Sequence, residues 1–382
     1  MSTSADILVV GGGPAGAAAA ADLAAKGRGV ILCEREAGPH DKVCGEFLSR
    51  ETALYLQALG LDLPALGARR IHSVRLAKGA REASVALPFP AFSLSRRRLD
   101  DALLARAAAL GADVRMGAKV QSVIRTDAGW EARLQDETHI AAPELFLATG
   151  KHDLRGWGRP PERQTDFIGF KTYWDLAAGE TRALDGHVEL ALFRGGYAGL
   201  QRIEGERANL CLVVRRGRLA ELGGSWDALL DAIRVECALL GRRLAGATHR
   251  PVAADRRPLA IAGIPYGYVR RMSDGPWYLG DQAAVIPSFS GDGMAIALHS
   301  ARLAAEASRA GEGAGVYQRR LAADVGSPVR LAALVSRISV HPLGQAAIGR
   351  ALGLLPSAMA GIAAATRVPP AALRRAGLVD PG

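Results

Sequence analysis

The chain of 382 residues is long enough for two or three domains with a buried core. Its formal net charge of +10 raises nucleic acid or an acidic membrane surface as partners. No basic run is interleaved with aromatics, which argues against nucleic acid, and no apolar run reaches the ~18 residues of a membrane span.

Residues 7–10, Ile-Leu-Val-Val, form an apolar run predicted as a strand. The run enters Gly11-Gly12-Gly13-Pro14-Ala15-Gly16, and an alanine-rich helical segment follows. A second apolar run, 30–33, ends on Glu34. This is the strand–GxGxxG–helix–strand–acid layout of a dinucleotide-binding unit. Gly11 suits the tight turn, and Gly13 lets the backbone approach a pyrophosphate. Gly16 lets the helix pack on the strand. The helix start around Pro14 and Ala15 presents free N–H groups and a positive dipole end to phosphates. Glu34 is placed to accept hydrogen bonds from a ribose diol.

Helices are predicted over 49–59 and 96–110, with strands near 113–125, 130–134 and 144–148. A second set of strands, 166–175, 187–193, 196–203 and 208–214, shows partial alternation. A helix over 225–240 is expected to cross that sheet, with further strand over 258–270. Residues 277–279 read as a strand ending at Gly280-Asp281. A turn with Pro287 then leads through Gly291-Asp292-Gly293 into another helix. An NAD site needs no such distal element. FAD has a ribityl chain and an isoalloxazine that reach past the first unit, and a carboxylate at a strand end can hold the ribityl hydroxyls. Residues 327–382 read as a helical tail punctuated by Pro342, Pro356, Pro369 and Pro370. It carries Arg330, Arg337, Arg350, Arg367, Arg374 and Arg375, with few acids before Asp380. Its two readings are a cap packed on the cofactor domain and a basic amphipathic surface near a lipid membrane.

Cys33, Cys44, Cys211 and Cys237 show no CxxC or metal-ligand spacing, so no metal is expected and a reducing compartment suits them. The first strand starts close to residue 1, which leaves no room for a signal peptide. The expected location is cytoplasmic, with the tail allowing contact with the inner membrane face. His152, His187, His299 and His341 lie in separate contexts, and no nucleophile elbow occurs, which argues against a hydrolase or metalloenzyme.

The paired early and late motifs resemble those of the FAD-dependent aromatic hydroxylase (p-hydroxybenzoate hydroxylase-like) and geranylgeranyl reductase superfamily, over most of residues 5–325. The resemblance implies an α/β fold, with a Rossmann-like FAD-binding domain, an interleaved antiparallel β-sheet substrate domain and a helical C-terminal tail. The implied division puts 1–70, 91–165 and 275–325 in the FAD-binding domain. Residues 71–90 and 166–274 form the substrate domain, and 326–382 the helical segment. The implied FAD contacts are Gly11, Gly13, Pro14, Ala15, Gly16, Glu34, Arg35, Lys42, Cys44, Gly45, Arg96, Val120, Thr149, Gly150, Gly280, Asp281, Pro287, Gly291, Gly293 and Met294. Arg96 opens the Arg-x-x-Leu-Asp pattern of the superfamily. Cys44, Tyr197 and Pro287 are placed at the reacting ring. Glu46, Gln201, Ser288, Phe289 and Ser290 are placed around a mostly apolar substrate cavity.

Three activities follow from the resemblance. The first is a monooxygenase of an apolar aromatic or polyketide-like compound in secondary metabolism, using molecular oxygen through a flavin C4a-hydroperoxide shielded from water. The second is a geranylgeranyl-reductase-like saturation of an isoprenoid C=C, toward which Cys44 and Ala284 lean. The third is halogenation, with Lys78 as the stray lysine. The reductase motif Tyr-x-Trp-x-Phe-Pro and the halogenase motif Trp-x-Trp-x-Ile-Pro are both absent. Tyr197 alone is kept, and Ala198 and Gly199 replace bulk. The large interleaved domain argues against a mere electron-transfer module. Thr149-Gly150 stands where NADPH-using hydroxylases carry Asp-Gly, and no second GxGxxG unit occurs. NAD(P)H is therefore expected as electron donor either transiently or through a separate reductase. A monomer or homodimer is expected.

Overall fold

The computed structural model describes residues 2–160, 166–252, 257–351 and 356–378. The parts of the expected division that fall on 161–165, 253–256, 352–355 and 379–382, Asp380 included, lie outside the described residues.

A five-stranded sheet carries the order Trp277–Tyr278, Glu144–Leu147, Ile7–Val10, Val30–Glu34 and Asp113–Met116. All its pairings are parallel. The central strands Ile7–Val10 and Val30–Glu34 are buried throughout. That explains their unbroken apolar sequence, since a parallel sheet is covered on both faces. Helix Pro14–Ala24 packs against helices Gly293–Arg309 and Arg96–Ala109. Ten of its eleven residues are buried, so its run of alanines is what lets three helices and a sheet approach. The predicted strand 113–125 is two strands. Gly117, at φ +73°, breaks it. Asp113–Met116 stays in the parallel sheet, whereas Val120–Thr126 joins Gly129–Leu134, His139–Ala142 and Ser2–Ser4 in a small separate sheet.

A nine-stranded sheet holds the second set. Its path runs Thr248–Arg250, Phe167–Asp175, Ala208–Arg215, Gly196–Arg202, His187–Phe193, Arg69–Lys78, Arg81–Ser93 and Phe47–Leu48, with Leu259–Ala262 also paired to Phe167–Asp175. Most pairings are antiparallel, but His187–Phe193 runs parallel to Arg69–Lys78. Alternate side chains take opposite faces. One face, with Phe170, Leu210, Leu212, Ala198 and Leu200, packs under helices Trp226–Glu236 and Ala238–Leu244. The other face looks toward the cofactor domain.

Two predicted elements need correction here. The helix over 225–240 is interrupted at Cys237, whose backbone is extended at φ −130°, ψ 103°. Cys237 bridges Gly79, and the Ala238 N–H donates to the Gly79 carbonyl at 2.9 Å, so tertiary pairing overrides helix propensity. The strand over 258–270 covers only Leu259–Ala262. Gly263, at φ +70°, ends it, and 265–268 form a turn closed by Tyr268 N–H on the Pro265 carbonyl at 3.1 Å.

The tail is helical over Ala314–Val340, Pro342–Ala351, Pro356–Ala365 and Pro370–Arg375. It touches both large sheets rather than the cofactor domain alone. The Gln345 amide donates to the Phe193 carbonyl at 2.6 Å and to the Gly196 carbonyl at 3.2 Å. Arg367 reaches Asp292 at 3.3 Å, and the Val368 N–H donates to the same carboxylate at 2.9 Å. No helix among the described residues is long and apolar enough to cross a membrane.

Candidate active site

The nucleotide end is built from the first strand–helix junction. Gly11 sits at φ +107°, and a Cβ there would lie 2.5 Å from the Ala148 carbonyl oxygen. A Cβ on Gly16 would overlap the Gly11 carbonyl oxygen. Only glycine satisfies both contacts. At Gly13 the first atom a Cβ would meet is Arg96 Nη2 at 3.7 Å, so the N-terminus of helix Pro14–Ala24 opens onto a space flanked by a guanidinium. That helix has no side-chain cap, and Pro14 begins it. Free N–H groups therefore face the same space. Glu34 accepts from the Gly12 N–H at 2.7 Å and the Glu36 N–H at 3.1 Å, which fixes its carboxylate at the strand end with lone pairs left over.

The late motif adjoins this helix. Gly280, at φ +55°, lies so close that a Cβ would be 3.2 Å from the Ala15 Cβ. Asp281 follows, half-buried, and its carboxylate has no side-chain partner among the described residues. Gln282 ties this turn to the end of the central sheet through the Gly150 carbonyl at 2.9 Å, the His152 carbonyl at 3.2 Å and Asp153 at 3.0 Å. Arg159 adds bonds to the Asp281 and Lys151 carbonyls at 2.8 and 2.9 Å. Gly45, Gly150 and Gly293 have open space where a Cβ would stand, or ordinary contact only. Glycines with room beside them, an uncapped helix start, a cation and a carboxylate without a side-chain partner among the described residues together fit FAD. Pyrophosphate would sit at the helix start beside Arg96, the ribose at Glu34 and the ribityl hydroxyls at Asp281.

Arg96 is pinned by Asp100, with Nε and Nη2 each at 2.8 Å, and Lys42 reaches the same carboxylate at 2.9 Å. Burial works to raise the Asp100 carboxyl, but Arg96 and Lys42 outweigh it and hold the group below its ordinary value. Burial likewise opposes the Arg96 charge, and Asp100 and the Cys44 sulfur more than offset it. Arg35 is exposed and bonds Glu36 at 3.0 Å, Val120 is buried in the small sheet, and Met294 is buried in the first turn of its helix.

The cofactor-facing side of the large sheet is laid out by register. Gly169, Val213, Tyr197 and Leu192 form one cross-strand row. Lys171, Cys211, Gly199 and Leu190 form the next, and Tyr173, Asn209, Gln201 and Val188 the third. The first row meets the late turn. Tyr197 hydroxyl lies 2.8 Å from Ser288 Oγ, and Tyr266 hydroxyl lies 2.9 Å from the same atom. Phe289 meets the Tyr197 ring edge-on at 6.1 Å. Burial pushes the Tyr197 hydroxyl up to about 12, so it stays a neutral donor. Ser290 is turned inward onto the Pro287 carbonyl at 2.8 Å, and Gly291, at φ +70°, presses on Phe47.

The third row meets the 44–46 loop. Asn209 donates to the Cys44 and Gly45 carbonyls at 3.1 and 2.9 Å. Cys44 accepts from the Glu46 N–H at 3.3 Å. Cys211 lies near it, its thiol pushed up to about 12 by burial and by Cys44. Glu46 is fully buried at φ +62° and pairs with fully buried Lys171. The same Glu46 oxygen accepts from Tyr173 hydroxyl at 2.9 Å and from the Arg96 N–H at 2.8 Å, while Oε2 has no hydrogen-bond partner among the described residues. Burial raises the Glu46 carboxyl and Lys171 opposes that rise. Gln201 is buried, with neither amide atom hydrogen-bonded among the described residues.

The structure thus brings Cys44, Gly45 and Glu46 to one end of a single face, and Tyr197, Pro287, Ser288 and Phe289 to the other, with Gln201 on the polar row. The face expected to line an apolar cavity is apolar only at the Tyr197 end. Alternation sends Lys171 and Tyr173 to the same face, and Asn209 and Gln201 join them. Glu46, expected against substrate, instead binds Lys171, Tyr173 and Arg96. Lys78 turns away to Gln345, at 3.0 Å. Lys171, Tyr173, Asn209, Gln282 and Arg367 were not legible as site residues. A lone lysine at an inward position of Asp-Phe-Ile-Gly-Phe-Lys-Thr-Tyr-Trp-Asp was the one available signal.

Asp292 lies behind the Gly291 turn, fully buried, bonded to Ser49 at 2.8 Å as well as to Arg367 and Val368. Burial lifts its carboxyl to about 7, with Arg367 opposing and Glu51 adding to the rise. The folded state therefore holds a proton that the unfolded chain has lost, and stability falls as pH rises from about 4 to about 7. Melting temperature against pH is expected to show this slope in the wild type and to lose it in Asp292→Asn.

Residues 4–143 match the sequence family described as FAD binding domain. The chain is 30% identical over 322 residues to a menaquinone reductase of Mycolicibacterium smegmatis, covering 80% of this chain and 76% of that one. The protein belongs to the FAD-dependent oxidoreductases of the aromatic hydroxylase and geranylgeranyl reductase superfamily. This flavoprotein is also 25% identical over 315 residues to a digeranylgeranylglycerophospholipid reductase of Methanosphaera stadtmanae, covering 77% and 75% of the two chains. Its fold is shared with a flavin-dependent brominase at TM-score 0.76 and 18% identity, covering 98% of each chain.

Proposed function

We propose that this flavoprotein saturates a C=C bond in an isoprenoid chain, with NAD(P)H as reductant directly or through a separate reductase. The observation that carries the reading is the 30% identity over four fifths of the chain to a menaquinone reductase. The face described above suits it. Gly199 leaves room beside Tyr197, and the apolar row takes a hydrocarbon. FAD, when bound and reduced, supplies a hydride equivalent, and the second hydrogen arrives as a proton. Cys44, at the other end of the face, carries an S–H within the same loop as Gly45 and is the side chain we assign to that proton.

Gly199→Trp is expected to block the chain's path and lower turnover at least tenfold while FAD content stays unchanged. Tyr197→Phe removes only a hydroxyl and is expected to change turnover less than threefold. The deciding experiment incubates FAD-loaded protein with a chemical reductant under argon and a geranylgeranyl-bearing lipid, with mass spectrometry as readout. The reading predicts a product with two added hydrogens. Its absence across polyprenyl substrates of several lengths overturns the reading.

A second reading is hydroxylation of an apolar aromatic or polyketide-like compound. The cluster of Tyr197, Tyr266 and Ser288 hydroxyls favours it, because such a cluster can hold a phenolic oxygen. That reading predicts a product with one added oxygen, formed only in air.

A further inference from the structure

The turn between helices Ala314–Val340 and Pro342–Ala351 exposes large apolar side chains. Leu334 is 54% exposed, Ile338 45% and Leu343 76%. They are contiguous. Leu334 and Ile338 are one helical turn apart, and Gly344 sits so tightly on Ile338 that a Cβ would lie 2.8 Å from its Cγ2. Arg330, Arg337, His341 and Arg350 are exposed on the same two helices and their junction. No Asp or Glu occurs anywhere from 325 to 379. An apolar centre on a segment whose charges are all basic complements an anionic lipid surface, because the hydrocarbon enters the acyl boundary while the arginines meet headgroup phosphates. Since no described helix is long and apolar enough to cross a bilayer, the fitting mode is lying on the surface.

We propose that this helical corner is a docking surface for an anionic lipid bilayer. Its inner side strengthens the case. Val340 is buried in one apolar cluster with Tyr197, Leu192 and Tyr266, and Ile348 packs on the same cluster. The corner therefore stands one helix thickness from the apolar row of the active-site face. A lipid chain entering at this corner would have to part the packing of Val340 and Ile348 to reach Tyr197. That route rests on the proposed reduction, whereas the docking itself does not.

The test is co-sedimentation of the full chain with vesicles, read without any activity assay. Vesicles of phosphatidylcholine with phosphatidylglycerol are expected to bind the protein, and phosphatidylcholine alone at least tenfold more weakly. Leu334→Ser/Ile338→Ser/Leu343→Ser and Arg330→Gln/Arg337→Gln/Arg350→Gln are each expected to weaken binding at least tenfold. Added salt is expected to weaken wild-type binding and to leave little in the arginine variant. Melting temperatures equal to wild type establish that the variants fold, and Leu343→Ser alone, at the most exposed position, serves if a triple variant does not. No binding to anionic vesicles overturns the proposal, as does binding unchanged by both sets of substitutions. A wild-type dimer that the serine variant splits, with vesicle binding intact, assigns the patch to a second copy and also overturns it.

Discussion

Lys171→Met is expected to destabilise the protein by about 3–5 kcal/mol near pH 8. The lysine is fully buried, and it is the cation that compensates the fully buried Glu46. Removing it leaves a fully buried carboxylate whose second oxygen has no hydrogen-bond partner among the described residues. Burial raises the Glu46 carboxyl even with Lys171 present, and the substitution raises it further. The folded variant then holds a proton that the unfolded chain releases above pH ~4.3, so its stability falls as pH rises past that value. The loss is thus expected to be smaller at pH 5 than at pH 8. Lys171→Met/Glu46→Gln is expected to recover most of it, since removing both charges removes the uncompensated one. Urea denaturation of the three proteins at the two pH values measures this. A single-variant loss under about 1 kcal/mol at both would contradict a buried ion pair here. The loop is expected to respond too. Glu46 holds the backbone of Arg96 and the ring hydroxyl of Tyr173, and Asn209 holds the Cys44 and Gly45 carbonyls. With Glu46 uncompensated, Cys44 should react with thiol reagents faster.

Asp281→Ala is expected to lower FAD affinity by one to two orders of magnitude. A charged hydrogen bond contributes about 1.5–3 kcal/mol, which is roughly tenfold to a hundredfold in a dissociation constant. The carboxylate has no side-chain partner among the described residues, so the melting temperature of the FAD-free protein should stay within a few degrees. Fluorescence titration of the FAD-free chain reads the affinity. Equal dissociation constants for wild type and variant would remove the ribityl chain from this position.

Features set by neighbours in sequence were readable before the structure. Gly11, Gly16 and Glu34 belong to one short unit whose geometry follows from the peptide bond and helix spacing: the two glycines sit at close backbone contacts, and Glu34 stands at the strand end bonded to the Gly12 N–H. The late motif was readable for the same reason. What was not readable depends on distant partners. Glu46 and Lys171 are 125 residues apart, and nothing local says that an inward lysine on one strand meets a carboxylate in a loop near the other end of the domain. Cys237 breaks a helix because Gly79 pairs with it. Arg367 reaches Asp292 across 75 residues, so a tail read as a cap or a basic surface also buttresses the cofactor turn. The face expected to be apolar carries polar groups for a subtler reason. Charges are few along 167–173 and 188–193, but alternation puts Lys171 and Tyr173 on the one face that matters, while Glu189 goes to the other.

The reading that substrate, not oxygen, takes the electrons is tested most directly by flavin reoxidation. Reduced, FAD-loaded protein is mixed in a stopped-flow instrument with a polyprenyl lipid under argon, and separately with air and no lipid. The account predicts that the lipid restores the oxidised flavin spectrum under argon faster than air does alone, with no intermediate absorbing between the two forms. Reoxidation that needs oxygen, passes through such an intermediate and is unaffected by the lipid under argon would contradict it.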